Sequence, residues 1–224
     1  MKKWTLLDTA KTPDGGSISL LEHDGSHSIR VDGVELMSTR RHNSEEKLAE
    51  LACAGLLEKP GARILIGGLG FGFTLRAALP LLSPHATVLL AEILAPVIQW
   101  NQNPALGLAA DALADPRVTL RHADVQAVIQ ECAAGRRLDS ILLDVDNGAA
   151  ALTTGANESL YELRGLRSAY AALVSGGCAA YWSATPNKAF EQRLVRAGFQ
   201  VTVQRCHAHR NSGSRHTLFV ARRP

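Results

Sequence analysis

Apolar and polar positions change their period along this chain. Over residues 4–37 they alternate: WTLLDT, SISLLEH and SHSIRVDGVELM are separated by turn signals at Asp14-Gly15-Gly16, Asp24-Gly25 and Asp32-Gly33. This reads as several short strands joined by tight turns. Such a β region is too small to bury a core of its own and should dock onto the main domain or onto a partner chain. His42-Asn43-Ser44-Glu45-Glu46 then opens a helix that runs to about Leu57 and stops before Pro60-Gly61. Asn43 or Ser44 is placed to cap it, and acids in its first turn favour the helix dipole. From there short apolar runs alternate with helical periods. Strands are predicted over 62–67, 86–91, 117–121, 138–143 and 177–183, and helices over 72–82, 95–102, 125–134, 158–174 and 187–197. Two last strands, 199–206 and 215–222, are joined across Asn211-Ser-Gly-Ser.

Strands alternating with helices imply an α/β fold, a Rossmann-like doubly wound sheet that is mostly parallel with right-handed crossovers. The C-terminal hairpin, with its short link, must be antiparallel. The expected division is a small N-terminal β region over 1–40 and a Rossmann-like domain over 41–224.

The 224 residues suffice for one sizeable α/β domain with a small appendage. With 46% hydrophobic and 20% charged residues, the composition is that of an ordinary globular protein. A formal charge of +3 is too mild to point to nucleic acid. No apolar run reaches the ~18–20 residues of a membrane helix. MKKWTLLDTAKTPDGG lacks the apolar region and cleavage site of a signal peptide, so a cytoplasmic protein is expected. Cys53, Cys132, Cys178 and Cys206 form no CxxC pair and read as buried free thiols.

The chemistry concentrates at strand ends, outside which open α/β sheets bind ligands. The first core strand breaks into Gly67, Gly68, Gly70 and Gly72 within RILIGGLGFG, with a helix directly after. Glycines there let a ligand approach backbone N–H groups. The second ends in Glu92, where an acid can bridge ribose hydroxyls. The third is followed by Arg121-His122-Ala123-Asp124, and the fourth by Asp144-Val145-Asp146-Asn147-Gly148. Taken singly, Asp124 suits a helix cap and Asp146-Asn147-Gly148 a tight turn. Together the four strand ends point to a nucleoside-containing cofactor. G-x-x-x-x-G-K-[ST] is absent and the glycines do not continue as G-x-G-x-x-G, whereas G-x-G-x-G with a later Glu and Asp looks like the class I fold that binds S-adenosylmethionine.

Read together, ILIGGLGFG, Glu92, PRVTLRHAD with Asp124, and DSILLDVDNG after a small β region resemble the spermidine synthase family, from roughly Ser17 onward. The resemblance implies an N-terminal β-sheet on a Rossmann-like catalytic domain, usually a homodimer, that uses decarboxylated S-adenosylmethionine to transfer an aminopropyl group to a polyamine amine. It places Glu92 on the ribose hydroxyls, Asp124 on the adenine amino group, and Asp144 beside the reacting amine as general base.

Three departures shift that expectation. The family's GGGDGG loop is here Gly67-Gly68-Leu69-Gly70-Phe71-Gly72, with Gly70 in place of the acid that meets the decarboxylated donor's amino group and would repel a carboxylate. Its D-E-x-x-Y-H-E is here within RRHNSEEKLAE, with no Tyr and with Arg40 and Arg41. Its D-x-x-D-P becomes Asp144-Val145-Asp146-Asn147-Gly148, with Asp146 able to attract a cationic substrate. The first expectation is therefore an S-adenosylmethionine-dependent methyltransferase acting on a small or amine-bearing molecule. The alternatives are a divergent aminopropyltransferase using decarboxylated S-adenosylmethionine, and a nucleoside-binding protein without turnover. Catalytic candidates are Asp144 and Asp146; cofactor-binding candidates are Gly67, Gly68, Gly70, Gly72, Glu92 and Asp124. No metal site is expected: Cys206-His207-Ala208-His209 with His216 reads as exposed histidines on a terminal hairpin. Trp182, at a strand end, is placed to stack on substrate or to pack. The arginines near the C-terminus read as solvated surface.

Overall fold

A computed structural model describes residues 3–145, 158–207 and 215–224. Asp146-Asn147-Gly148 and His209 lie outside the described residues. The chain begins with four strands, β1 (Thr5–Lys11), β2 (Ser17–His23), β3 (Ser26–Val31) and β4 (Val34–Ser38), paired antiparallel in sequence order. Helix α1 (Asn43–Ala52) leads to β5 (Arg63–Gly67), α2 (Phe73–Ala78), β6 (Thr87–Glu92), α3 (Ala95–Gln102) and α4 (Ala110–Leu113). Then come β7 (Val118–His122), α5 (Val125–Ala134), β8 (Leu138–Leu143), α6 (Glu158–Tyr161), α7 (Leu163–Ala172), β9 (Leu173–Ser183), α8 (Lys188–Arg196), β10 (Gln200–His207) and β11 (Arg215–Arg222).

These form a seven-stranded sheet in the order β10-β11-β9-β8-β5-β6-β7. The five central crossover strands pair parallel, and β11 pairs antiparallel with both β9 and β10. Strand order reverses beside β5: β6 and β7 extend to one side, β8 and β9 to the other. The crevice at such a reversal is where this architecture opens a ligand site, and it falls between the glycine loop after β5 and Asp144 after β8.

Both faces of the large sheet are covered, which is why its strands read as continuous apolar runs. On one face Ile64, Ile66, Val88 and Leu90 share a core with α1, α2 and α3. Ile18, Leu20, Ile29 and Val31 of the small sheet, each 7% exposed or less, belong to that same core. The small sheet thus buries its apolar face against the main body. On the other face Leu65, Ile141, Leu143, Tyr181 and Phe219 pack under α5, α7 and α8.

Several elements differ from the sequence expectation. Helix α1 ends at Ala52 rather than Leu57; the chain turns through Gly55 at φ +82° and leaves Leu57 53% exposed. Neither Asn43 nor Ser44 caps it. Asn43 Nδ2 instead donates to the His207 carbonyl at 2.8 Å, and Ser44 Oγ lies 2.9 Å from His216 Nδ1, so both serve the C-terminal hairpin. The helix expected over 72–82 is α2 followed by a 3-10 turn, Leu79–Leu81, begun where Pro80 removes a donor. The helix expected over 158–174 is two helices, broken at Glu162, whose backbone is extended. The last parallel strand starts at Leu173, four residues earlier than its alternation signals. Helix α4 has no counterpart in the sequence reading. Cys53, Cys132 and Cys178 are buried free thiols and Cys206 is half-buried. Among the described residues no helix is long and apolar enough to cross a membrane.

Candidate functional site

The loop after β5 is shaped by contacts that leave no room for side chains. Gly68 has φ +90°, and a Cβ there would lie 2.2 Å from the Asp144 carbonyl oxygen. The approach is locked by Asp144 N donating to the Gly67 carbonyl at 3.0 Å. Gly67 is pressed by Val125 and Leu143, and Gly72 by Ala109, so these two glycines serve packing. Gly68 and Gly70 line the crevice. Three loop N–H groups are engaged within the fold: Gly68 to the Ala91 carbonyl, Leu69 to Glu92 and Gly72 to the Leu69 carbonyl.

Glu92, at the end of β6, is 7% exposed. Its Oε2 accepts from Leu69 N and its Oε1 from Leu94 N, each at 2.8 Å. It therefore ties the glycine loop to the start of α3 while lining the cavity. Asp124 caps α5 by accepting from Gln126 N at 2.8 Å and also lines the cavity. Asp124 thus caps the helix and lines the cavity with the same side chain.

Gly68, Gly70, Glu92, Asp124 and Asp144 thus converge on one cavity of ≈580 Å³, walled on its apolar side by Leu94, Val97 and Val125. Ile29, Leu36 and Met37 of the small sheet complete it. A second cavity of ≈520 Å³ adjoins it, sharing Leu36, Met37, Gly70 and Asp144. Its further walls are Glu45, Phe71, Phe73 and Trp182. A Cβ on Gly70, at φ +51°, would meet Met37 Sδ at 3.0 Å, so Met37 stands as the septum between the two spaces.

Asp144 sits at the junction. Thr74 Oγ1 donates to its Oδ2 at 2.7 Å. Burial pushes the Asp144 carboxyl up to about 6, against the lowering effect of the Thr74 bond. Glu45 is raised further, to about 8, by burial first and by the Asp144 charge second. Two carboxyls raised by burial on one cavity, one of them further raised by the charge of the other, are an arrangement from which proton-transfer sites are built.

In the sequence Glu45 shows only a helix-dipole role. Its place in the site depends on contacts between α1, the end of β8 and the end of β9, far apart in the chain, which no local period encodes. Trp182, conspicuous in the sequence for its strand end, lines the second cavity. His216, expected to be exposed, is half-buried against Trp182 and Ser44, and burial followed by Arg41 lowers its pKa. Among the described residues no three His, Cys, Asp or Glu side chains converge as a metal site.

No protein-family model matches the chain, and no curated protein matches its sequence. Solved structures do match its shape. Spermidine synthase from Thermotoga maritima superposes with a TM-score of 0.74 over 96% of this chain and 72% of that one, at 18% identity. A spermidine synthase in complex with the transition state analogue AdoDATO gives 0.73 over 96% and 71%, at 17% identity. This chain has a spermidine-synthase-like fold. The spermidine-synthase-like fold accounts for both sheets at once, since the matched region takes in the small sheet as well as the doubly wound one.

Proposed function

We propose that this protein transfers an aminopropyl group from decarboxylated S-adenosylmethionine to an amine. One observation carries the choice of donor. Glu45, Glu92, Asp124 and Asp144 line the two joined cavities, and among the described lining residues there is no Lys, Arg or His. An acidic, partly desolvated site favours a donor and acceptor that are cationic throughout and opposes a carboxylate on the donor tail. The likeness to a spermidine synthase complexed with AdoDATO agrees with this direction.

The residues present fit such a donor: the cavity offers acids for hydroxyl and amino groups, apolar walls for a flat ring, and an aperture at Gly70 toward the second cavity. Glu92 would take the ribose hydroxyls, Asp124 the adenine amino group, and Gly68 and Gly70 would leave space for the tail. When bound, the donor supplies a carbon made electrophilic by its sulfonium. The chain's part is to bring an amine in line with that carbon and to take its proton. Attack by that amine would form an N–C bond as the C–S bond breaks, the electron pair staying on sulfur in a neutral thioether. The amine's proton passes to Asp144, whose raised pKa suits a base working near neutral pH. In this reading residues 1–40 form the small N-terminal β region and 41–224 the catalytic unit. The protein is then a cytoplasmic homodimer with small-molecule partners.

Methyl transfer from intact S-adenosylmethionine is the second reading, favoured by Gly70, which offers no acid against a donor carboxylate. Calorimetric titration with each donor, followed by the mass gained by an amine acceptor, separates the two. Tighter binding of the decarboxylated donor and gain of an aminopropyl group is the expected result. Tighter binding of the intact donor with methyl gain reverses the order. Binding of neither removes the transferase reading.

A further inference from the structure

The side chain of Ser44 is almost fully enclosed, 1% exposed, at the start of α1. Its hydroxyl accepts from Trp182 Nε1 at 3.0 Å, donates to Glu45 Oε2, and faces His216 Nδ1 at 2.9 Å. A hydroxyl has one proton and two acceptor sites. With its proton on Glu45 and one acceptor site given to Trp182, the other takes the His216 Nδ1–H. One oxygen is thereby saturated, and it fixes the tautomer of His216 by the bond it makes. The indole and carboxylate it holds come from β9 and α1, and both line the second cavity.

We propose that Ser44 is a positioning residue for the acceptor: its hydroxyl sets the Glu45 carboxyl and the Trp182 indole in the relation that a primary alkylamine requires. The ammonium end lies between Glu45 and Asp144, and the alkyl chain lies against Trp182, Phe71 and Phe73. This inference rests on the amine-acceptor reading of the second cavity.

The arrangement also reports on itself. The groups facing Glu45 are Asp144 at the end of β8, Glu46 on its own helix, Cys206 on β10, and His216 on β11 through Ser44, with Arg41 beside His216. Ionising Glu45 strengthens its pull on the Ser44 proton, which polarises the oxygen that Trp182 Nε1–H donates to. The Trp182 indole proton therefore senses both Glu45 ionisation and whatever cation Glu45 holds.

The test is nuclear magnetic resonance of the full chain with labelled tryptophan, the Trp182 indole assigned by its loss in Trp182→Phe. Titration with 1,4-diaminobutane should move that resonance. The wild-type resonance should show an inflection near pH 8 as Glu45 titrates, and Ser44→Ala should abolish it and weaken diamine binding about tenfold. Ser44→Thr, which keeps the hydroxyl, should restore both. Diamine binding that is the same in Ser44→Ala as in the wild type overturns the positioning role, as does an indole inflection that survives the loss of the hydroxyl. If the wild type binds the diamine but transfers nothing to it from either donor, the transfer reading falls and the Ser44 result stands. If the wild type does not bind the diamine, the acceptor reading and this inference fall together.

Discussion

Met37 Sδ lies 3.0 Å from the point where a side chain on Gly70 would begin. Met37 lies on β4 of the small sheet and Gly70 in the loop after β5, and both line the two adjoining cavities where these meet. Any acid restored at position 70 must displace a methionine, which is unbranched and adapts readily.

Gly70→Asp is accordingly expected to fold, since Asp is among the residues that accept a positive φ, and to sharpen donor selection. The preference for decarboxylated over intact S-adenosylmethionine should rise by about tenfold or more, the effect of one carboxylate facing another in a partly desolvated site. Calorimetry with the two donors measures it. An unchanged ratio would remove position 70 from donor choice.

Asp144→Asn should leave donor affinity within about twofold and lower turnover by about 10²–10⁴, the range for losing a general base. Thr74→Val should act more gently. The Thr74 bond lowers the Asp144 pKa, so its loss raises it and moves the acid limb of the pH–rate profile upward from about 6. A limb that stays in place would mean that another group titrates.

Glu92→Ala tests two consequences of one side chain. It should weaken donor binding, and it should destabilise the apoprotein by about 2–4 kcal/mol, because two backbone N–H groups held by a buried carboxylate lose their partner. Thermal unfolding without ligand separates the effects. An unaltered melting temperature would show that water replaces the carboxylate at Leu69 and Leu94.

Glu45 gives a pH dependence with a definite sign. Its carboxyl rises from 4.5 to about 8 on folding, so between those values the folded chain binds more protons than the unfolded one. The stabilisation is complete below about 4.5 and is lost as pH climbs through about 8. Glu45→Gln should flatten that decline, raising the melting temperature relative to wild type at pH 9 and leaving the two closest at pH 5. A wild-type curve flat from pH 5 to 9 contradicts it.

How much of the molecule is legible in its sequence depends on how local each signal is. The parallel strands and most crossover helices show in their periods, and strand ends locate Gly68, Glu92, Asp124 and Asp144 because topology alone brings such ends together. The second cavity is hardly visible there. Glu45 sits in a helical first turn where acids are ordinary. Ser44 looks like a cap yet bonds residues 138 and 172 positions away. Met37 reads as one more alternating apolar residue of a small sheet. Their roles arise only when the small sheet and the C-terminal hairpin close on the same crevice.

That closure has a consequence for how specificity can change. One wall of the cavity is carried by β5, β6, β7 and β8 and their following loops, whereas Leu36 and Met37 belong to β4, reached through the Asp32-Gly33 turn and paired with β3. Strand β3 is fixed in place, since it pairs with β2 as well and buries Ile29 and Val31 in the shared core, whereas β4 is the edge strand of the small sheet and can vary. Substitutions along that edge strand would reshape the cavity wall at Leu36 and Met37 and leave the strand ends of the large sheet where they are.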